Sequence, residues 1–294
     1  MKILFSKKCA EYSQPGHPES PARVISAYNY LKNKSSQFTV HSSLFIEPAP
    51  CKDKDILLAH TPRLLEEVKK GGFFDMDTPA LPDIFEYAKL SAGGAIEAAM
   101  LALKNEKAFS LMRPPGHHAT KNHLGGFCYF NNIAIASLKA MGSVGKIAIV
   151  DFDCHHGNGT EDIFLGKKDF LYLSLHQSPL YPGTGLSSRG NCINYPLPAN
   201  TLPAEYLSAL GKGLKQVAEF NPDLLAVSAG FDTYKLDPIT SILLEKDTYK
   251  EIGRMLSSLG KPMFAVLEGG YSRDLPECIY QFLTGMENNQ EAGL

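Results

Sequence analysis

The run Lys146-Ile-Ala-Ile-Val-Asp-Phe-Asp-Cys-His-His-Gly-Asn-Gly-Thr160 joins an apolar, β-branched segment to a cluster of acids and imidazoles. Ile147, Ile149 and Val150 suit a central strand of a parallel sheet, where both faces are covered. If that strand continues through the motif, alternation puts Asp151, Asp153 and His155 on one side. Two carboxylates and an imidazole at period two gain nothing from packing. A merely solvated strand end has no need of two adjacent histidines beside them. The same groups suit a divalent cation, because imidazole nitrogen and carboxylate oxygen both ligate zinc. Gly157-Asn158-Gly159 is expected to end the strand in a tight turn.

Working outward, apolar strand patterns recur at Lys2 to Phe5, Lys107 to Met112, Phe170 to His176, Asp223 to Ser228 and Pro262 to Leu267. Helical spacing lies between them. One helix is expected from Pro21 to about Leu31 with Ser20 as its cap, and two short ones between Asp55 and Lys70, divided at Pro62. A long Ala-rich helix follows from about Pro82 to Lys104. Others span Asn131 to Ala140, Pro203 to Phe220, Asp247 to Leu259 and Ser272 to Thr284, with Gly285 placed to stop the last. Strand and helix alternate throughout, which predicts an α/β fold with helices on both faces of a parallel sheet. No repeat or linker divides the chain, so residues 1–294 are expected to form a single domain.

The sequence motifs fall at equivalent places in this alternation. His117-His118, the Asp-rich run, the Pro182-Gly-Thr-Gly185 turn, Asp232 and Tyr271 each follow an apolar strand. In an open parallel sheet the carboxyl ends of the strands form the crevice where ligands bind, so these residues are expected to meet.

Composition bounds the function. The chain of 294 residues is 44% hydrophobic and 20% charged, globular values that allow a sizeable core. A net charge of -2 and a pI near 6.5 carry no electrostatic footprint for nucleic acid or an anionic membrane. Six scattered cysteines without a C-x-x-C pair read as reduced, buried thiols rather than a disulfide framework. The short apolar N-terminal run is no signal peptide, and no span approaches 18 apolar residues, so a cytoplasmic address is expected. Nothing in the sequence specifies an oligomeric state.

Asp153, His155 and Asp232 supply three protein ligands, the number a catalytic zinc keeps while leaving a position open. A bound cation polarises a carbonyl and acidifies water, His117 and His118 supply acid–base function, and Tyr271 can donate to a developing oxyanion. Together the parts make a metal-assisted amide hydrolase. The Gly-rich turns lack the spacing and lysine of a phosphate loop. His17, His41, His60, His123 and His176 read as ordinary surface or core residues, with His17 and His123 in loops that reach toward the rim. Cys154 reads as a small apolar filler facing away from the ligands.

Five ordered motifs now carry a resemblance. They are Arg113-Pro-Pro-Gly-His-His-Ala119, Gly126-Phe-Cys-Tyr-Phe-Asn-Asn132, Asp151 to Thr160, Ser228-Ala-Gly-Phe-Asp232 and Glu268-Gly-Gly-Tyr271. They resemble the zinc-dependent histone deacetylase superfamily, which includes acetoin-utilisation proteins and acetylpolyamine amidohydrolases, in its class II spelling. The resemblance implies the arginase-deacetylase fold, a single eight-stranded parallel sheet flanked by helices. It implies Asp153, His155 and Asp232 as ligands of Zn2+, with Fe2+ accepted by the same donors. His118 would be the general base with Asn158 as its partner, His117 would pair with Asp151, and Tyr271 would polarise the acyl carbonyl. Gly126, Phe127 and Tyr181 match the acyl-lysine channel, Asp77 a rim acid and Ile239 a gatekeeper. Asp151, Asp153, His155, Ser174 and Leu175 match a structural K+ site, largely through carbonyls.

An apolar gatekeeper disfavours a polycation, so the implied substrate is an acyl-lysine peptide or protein. A small acylated amine such as an acetylpolyamine is the alternative. A non-catalytic acyl-lysine-binding module is disfavoured, because such a remnant has no need of the ligands, both histidines and the tyrosine together.

Overall fold

A computed structural model of the chain describes residues 1–38 and 44–287; His41 lies outside the described residues. Eight strands form one all-parallel sheet in the order β2-β1-β3-β8-β7-β4-β5-β6. They are β1 (Lys2–Leu4), β2 (Phe45–Ile46), β3 (Ala108–Ser110), β4 (Ile147–Asp151), β5 (Phe170–Gln177), β6 (Cys192–Leu197), β7 (Leu224–Ala229) and β8 (Met263–Leu267). The helices are α1 (Pro21–Asn33), α2 (Asp53–Ile56), α3 (Pro62–Lys70), α4 (Ile84–Ala102), α5 (Asn132–Ala140), α6 (Asn158–Phe164), α7 (Pro203–Phe220), α8 (Lys246–Ser257) and α9 (Leu275–Glu287). Among the described residues no helix is long and apolar enough to cross a membrane.

Alternation along the strands builds the two cores. Ala148 and Val150 of β4, with Leu171, Leu173 and Leu175 of β5, face the layer containing α1, α7, α8 and α9. Ile147 and Ile149, with Phe170 and Tyr172, face the layer containing α3, α4 and α5. Both sides of the central strands are therefore dry, which is why their sequences are continuously apolar. The six cysteines are free and buried.

The chain crosses from β3 to β4 over three places in the sheet, and β7 and β8 later fill the gap. The loops after β3, β8, β7, β4 and β5 consequently leave neighbouring strands at one edge.

Four sequence expectations need correction. β4 ends at Asp151 rather than at Asp153. Beyond it, Asp151 Oδ1 accepts from the Asp153 N–H and Asp153 Oδ1 from the His155 N–H, at 3.2 and 2.9 Å. Side-chain acceptors thus replace the strand ladder and hold the motif in successive short turns. Gly157-Asn158-Gly159 does not form a free turn but opens α6, with Gly157 as its cap. Glycine is required there by close approach: a Cβ on Gly157 would lie 2.3 Å from Asp151 Oδ2 and 2.4 Å from the Tyr172 hydroxyl. Ser20 precedes α1 with no side-chain cap bond. Gly285 lies inside α9 and stops nothing, because it is a packing residue against α8.

Candidate active site

Loops from adjacent strands assemble the site. The segment after β3 delivers His117 and His118, the turns after β4 deliver Asp153 and His155, the loop after β7 delivers Asp232, and the loop after β8 delivers Tyr271. A cavity of about 170 Å³ is lined by His117, His118, Asp153, His155 and Tyr271 on its inner side. Asp77, Gly126, Phe127, Tyr181 and Ile239 line the same cavity. Every substrate-contact residue expected from the sequence is therefore brought to one pocket, with Asp232 fully buried beside it.

Asp153, His155 and Asp232 each offer one ligand atom, all within 4.8 Å of one another. His155 Nδ1 is 2.8 Å from Asp232 Oδ2 and 3.2 Å from Asp153 Oδ1. The remaining oxygens are taken by backbone amides: Gly269 N–H donates to Asp153 Oδ2 and Cys154 N–H to Asp232 Oδ1, at 2.7 and 2.8 Å. These bonds orient the carboxylates and leave one oxygen of each turned toward the imidazole. Burial and then Asp153 raise the Asp232 pKa to about 6. Burial opposes charge on His155, but the two facing carboxylates raise it to about 10. The protein groups by themselves call for positive charge at this point. A divalent ion suits the two oxygens and one nitrogen there, so the residues fit a metal.

The adjacent histidines have opposite environments. His117 Nδ1 donates to Asp151 Oδ2 at 3.0 Å, and its Nε2 lies 3.7 Å from Asp153 Oδ1. Burial disfavours its charge, yet Asp153 and Asp151 outweigh burial and raise its pKa to about 10. His118 Nδ1 is 2.8 Å from Asn158 Oδ1, a neutral acceptor. Burial, then His117 and His155, hold its pKa well below the ordinary histidine value. The pair is thereby separated into a charged donor and a neutral imidazole.

The walls are aromatic. Tyr181 packs edge-on to His118 at 5.0 Å and Phe127 edge-on to Tyr271 at 5.9 Å between ring centres. Phe127 holds φ at +69°, an uncommon conformation for a bulky residue, with its N–H donated to the buried Thr78 hydroxyl. His17, expected only to reach the rim, packs edge-on to Phe127 at 4.6 Å and bonds the Asp77 carbonyl through Nε2 at 3.1 Å. In the segment that leads to Asp77, Phe74 and Met76 are 93% and 91% exposed.

The sequence reading missed several supports. Tyr172 donates to Asp151 Oδ2 at 3.0 Å. Buried Glu268 accepts from the amides of Gly116 and His117 at 2.7 and 3.2 Å, joining the loops after β3 and β8. Arg23 stacks on the Tyr271 ring at 4.7 Å and donates to the Gly270 carbonyl at 2.7 Å. Glu19 holds Arg23 at 3.2 Å and Arg113 at 2.6 and 2.7 Å. For Glu19, Arg23 and Glu268 the only sequence signal was charge placed in otherwise apolar or Pro-rich surroundings, and Tyr172 carried none.

The pocket lies at the carboxyl edge of a parallel α/β sheet, where ligands bind in folds of this class. Residues 17–286 match the family described as "Histone deacetylase domain". A probable deacetylase from Methanothermobacter thermautotrophicus is 38% identical over 308 aligned residues, covering 99% of this chain and 92% of that protein. Acetylpolyamine amidohydrolase 2 of Pseudomonas aeruginosa is 38% identical over 212 residues, which are 68% of this chain and 61% of the relative. The crystal structure of HDA15 HD domain superposes with a TM-score of 0.89 at 30% identity, covering 97% of this chain and 88% of the other. The chain belongs to the histone deacetylase family.

Proposed function

We propose that this chain, as a single deacetylase domain of residues 1–294, removes acetyl or another short acyl group from Nε-acyl-lysine in a peptide or protein. The observation that carries the reading is the convergence of His117, His118, Asp153, His155 and Tyr271 on one aromatic-walled cavity. Asp153, His155 and Asp232 would hold Zn2+, or Fe2+ by the same donors. A divalent ion there supplies Lewis acidity toward a carbonyl and lowers the pKa of water.

The side chains then divide the work. Asn158 Oδ1 can only accept, so it selects the His118 tautomer with hydrogen on Nδ1. Nε2 keeps its lone pair for a proton taken at the cavity, and no other described residue hydrogen-bonds it. Asp151 holds His117 through Nδ1, leaving Nε2–H to donate toward the leaving amine. The Tyr271 phenol donates to the acyl oxygen where negative charge develops. Gly126, Phe127 and Tyr181 enclose the alkyl arm, and Asp77 accepts from substrate backbone at the rim. A structural K+ is assigned to Asp151, Asp153, His155, Ser174 and Leu175, where β4 and β5 run together with Asp151 opposite Ser174.

Ile239 at the mouth, with Phe74 and Met76 exposed beside Asp77, favours a substrate that extends past its lysine over a small polycation. Acetylpolyamine deacetylation is the second reading, favoured by the kinship with acetylpolyamine amidohydrolase 2 and by the Asp75 and Asp77 carboxylates of the rim loop. A side-by-side rate assay of acetyl-lysine peptides, longer acyl-lysine peptides and acetylputrescine, with and without chelator, separates them. Chelator-sensitive turnover of peptides is the expected result. Turnover of acetylputrescine alone would move the assignment to the polyamine, and metal-loaded protein inert toward all three would sink the hydrolytic reading.

A further inference from the structure

Asp237 lies behind the cavity and is only 7% exposed. Its carboxylate is divided between two backbone amides: Oδ2 accepts from Tyr271 N–H at 2.7 Å and Oδ1 from Ile239 N–H at 3.1 Å. Those amides belong to different loops, one after β8 and the other after β7. Both residues line the pocket, Tyr271 and the rim residue Ile239. A single buried acid therefore fixes the backbone under the phenol and the backbone at the mouth.

The rest of the surroundings leave that acid little freedom. The loop carrying Ile239 is closed by Thr240, whose hydroxyl donates to the Asp232 carbonyl, and by Ser241 N–H donating to Gln177 Oε1 at 2.9 Å. Asp237 N–H is itself tied to the Tyr234 carbonyl at 2.8 Å. On the other loop, Arg23 holds the Gly270 carbonyl immediately before Tyr271. Phe231 N–H to the Gly269 carbonyl at 3.0 Å and the Tyr234 hydroxyl to Asp274 Oδ2 at 2.9 Å also join the two loops, but Asp237 is the link that reaches the backbone of both pocket residues, Tyr271 and Ile239. A displacement of one ångström at a reacting group is enough to cost a large part of the rate.

We propose that Asp237 is a positioning residue that seats the Tyr271 phenol through its backbone and couples that seat to Ile239. The proposal rests on the deacylase reading above. Asp237→Asn removes one acceptor at almost unchanged volume, so one of the two amides loses its partner.

The test is a double-mutant cycle of Asp237→Asn with Tyr271→Phe on the metal-loaded protein. Its probe is a lysine-derived methyl ketone peptide, isosteric with acetyl-lysine but not hydrolysable. Calorimetry gives Kd for wild type, both single variants and the double variant, so residual turnover is not needed. Asp237→Asn is expected to weaken binding about tenfold in the wild-type background and less than about twofold when the Tyr271 hydroxyl is absent. It is also expected to lower kcat on an acetyl-lysine peptide while metal content is retained. Equal weakening in both backgrounds, or none in either, would overturn the positioning role. If Asp237→Asn does not fold, Asp237→Ser enters the same cycle with the same expectations. Wild type that neither hydrolyses the acetyl peptide nor binds the ketone would remove the deacylase reading, and this proposal with it. Wild type that does both while the cycle shows no coupling would remove only the role of Asp237.

Discussion

His60 and His118 are both buried, and the difference between them is the number of nitrogens that find a partner. His60 Nδ1 donates to the Thr120 carbonyl at 2.9 Å, and Nε2 accepts from Asn131 N–H at 2.8 Å. Both nitrogens are used, so the neutral ring is a fixed part of the core. His118 has only Nδ1 engaged by a described residue. Burial lowers the His60 pKa to about 4, against 6.5 for the unfolded chain. Between those values the unfolded state binds a proton that the folded state refuses, so stability is present above pH 6.5 and is lost as pH falls toward 4. The full difference corresponds to about 3 kcal/mol. Urea unfolding across that pH range should show this loss, and His60→Gln should flatten that part of the curve; an unchanged slope in the variant would assign the loss to other groups. Residue type alone does not distinguish these two histidines. His118 was legible through its paired neighbour and its place after a strand. His60 was legible only as ordinary; Glu268 stands in its motif without a role and Asp237 stands out in no way, because the amides that give them their roles, those of Gly116, His117 and Tyr271, are remote in sequence.

At the scale of elements, six of the eight strands were readable as apolar runs. β2 has two residues, and β6 carries Asn194 and Pro196 within a partly exposed edge, so neither shows the signature of a buried strand. α6 was hidden by Gly157 and Gly159, which read as turn residues. Gly285 was misread for a related reason, since a glycine near the end of a helical pattern also fits a stop signal. Its actual role is contact between α8 and α9. A Cβ on Gly285 would lie 2.0 Å from the Lys250 carbonyl, and one on Gly253 would lie 2.3 Å from the Phe282 carbonyl. Alanine gains about 1 kcal/mol of helix propensity over glycine, but both clashes are with backbone and no side chain can move aside. Gly285→Ala and Gly253→Ala are therefore each expected to lose a net 1–3 kcal/mol or so in urea unfolding. Their double variant should lose less than the sum, because one separation of the two helices relieves both contacts. A stabilised Gly285→Ala would show that propensity outweighs the contact and that the helices are not this closely held.

For the whole molecule, the sheet edge that carries the site works against the stability of the rest. Two layers of dry side chains hold the strands, yet at their carboxyl ends Asp153 and Asp232 are both fully enclosed and face each other across His155. Burial and mutual repulsion penalise such a pair unless positive charge joins it. Backbone amides do not neutralise the pair: those of Gly269 and His155 take the two Asp153 oxygens, and that of Cys154 takes Oδ1 of Asp232 and leaves its Oδ2 to the imidazole. A cation that binds the folded state alone stabilises it by mass action, about 2.7 kcal/mol at a hundredfold excess over Kd. For a chain of this size that corresponds to a rise in Tm of about 4–5 °C. Metal-stripped protein titrated with Zn2+ should show this rise. Asp232→Asn should abolish it, and the stripped variant should melt no lower than stripped wild type, because one of the two facing charges is gone. Calorimetric melting of both proteins with and without Zn2+ decides the matter. A stripped variant that melts far below stripped wild type would make Asp232 a structural acid, with the triad serving the fold. Equal melting with a lost zinc response would locate its purpose in holding the ion, at a cost in stability that the two apolar layers offset.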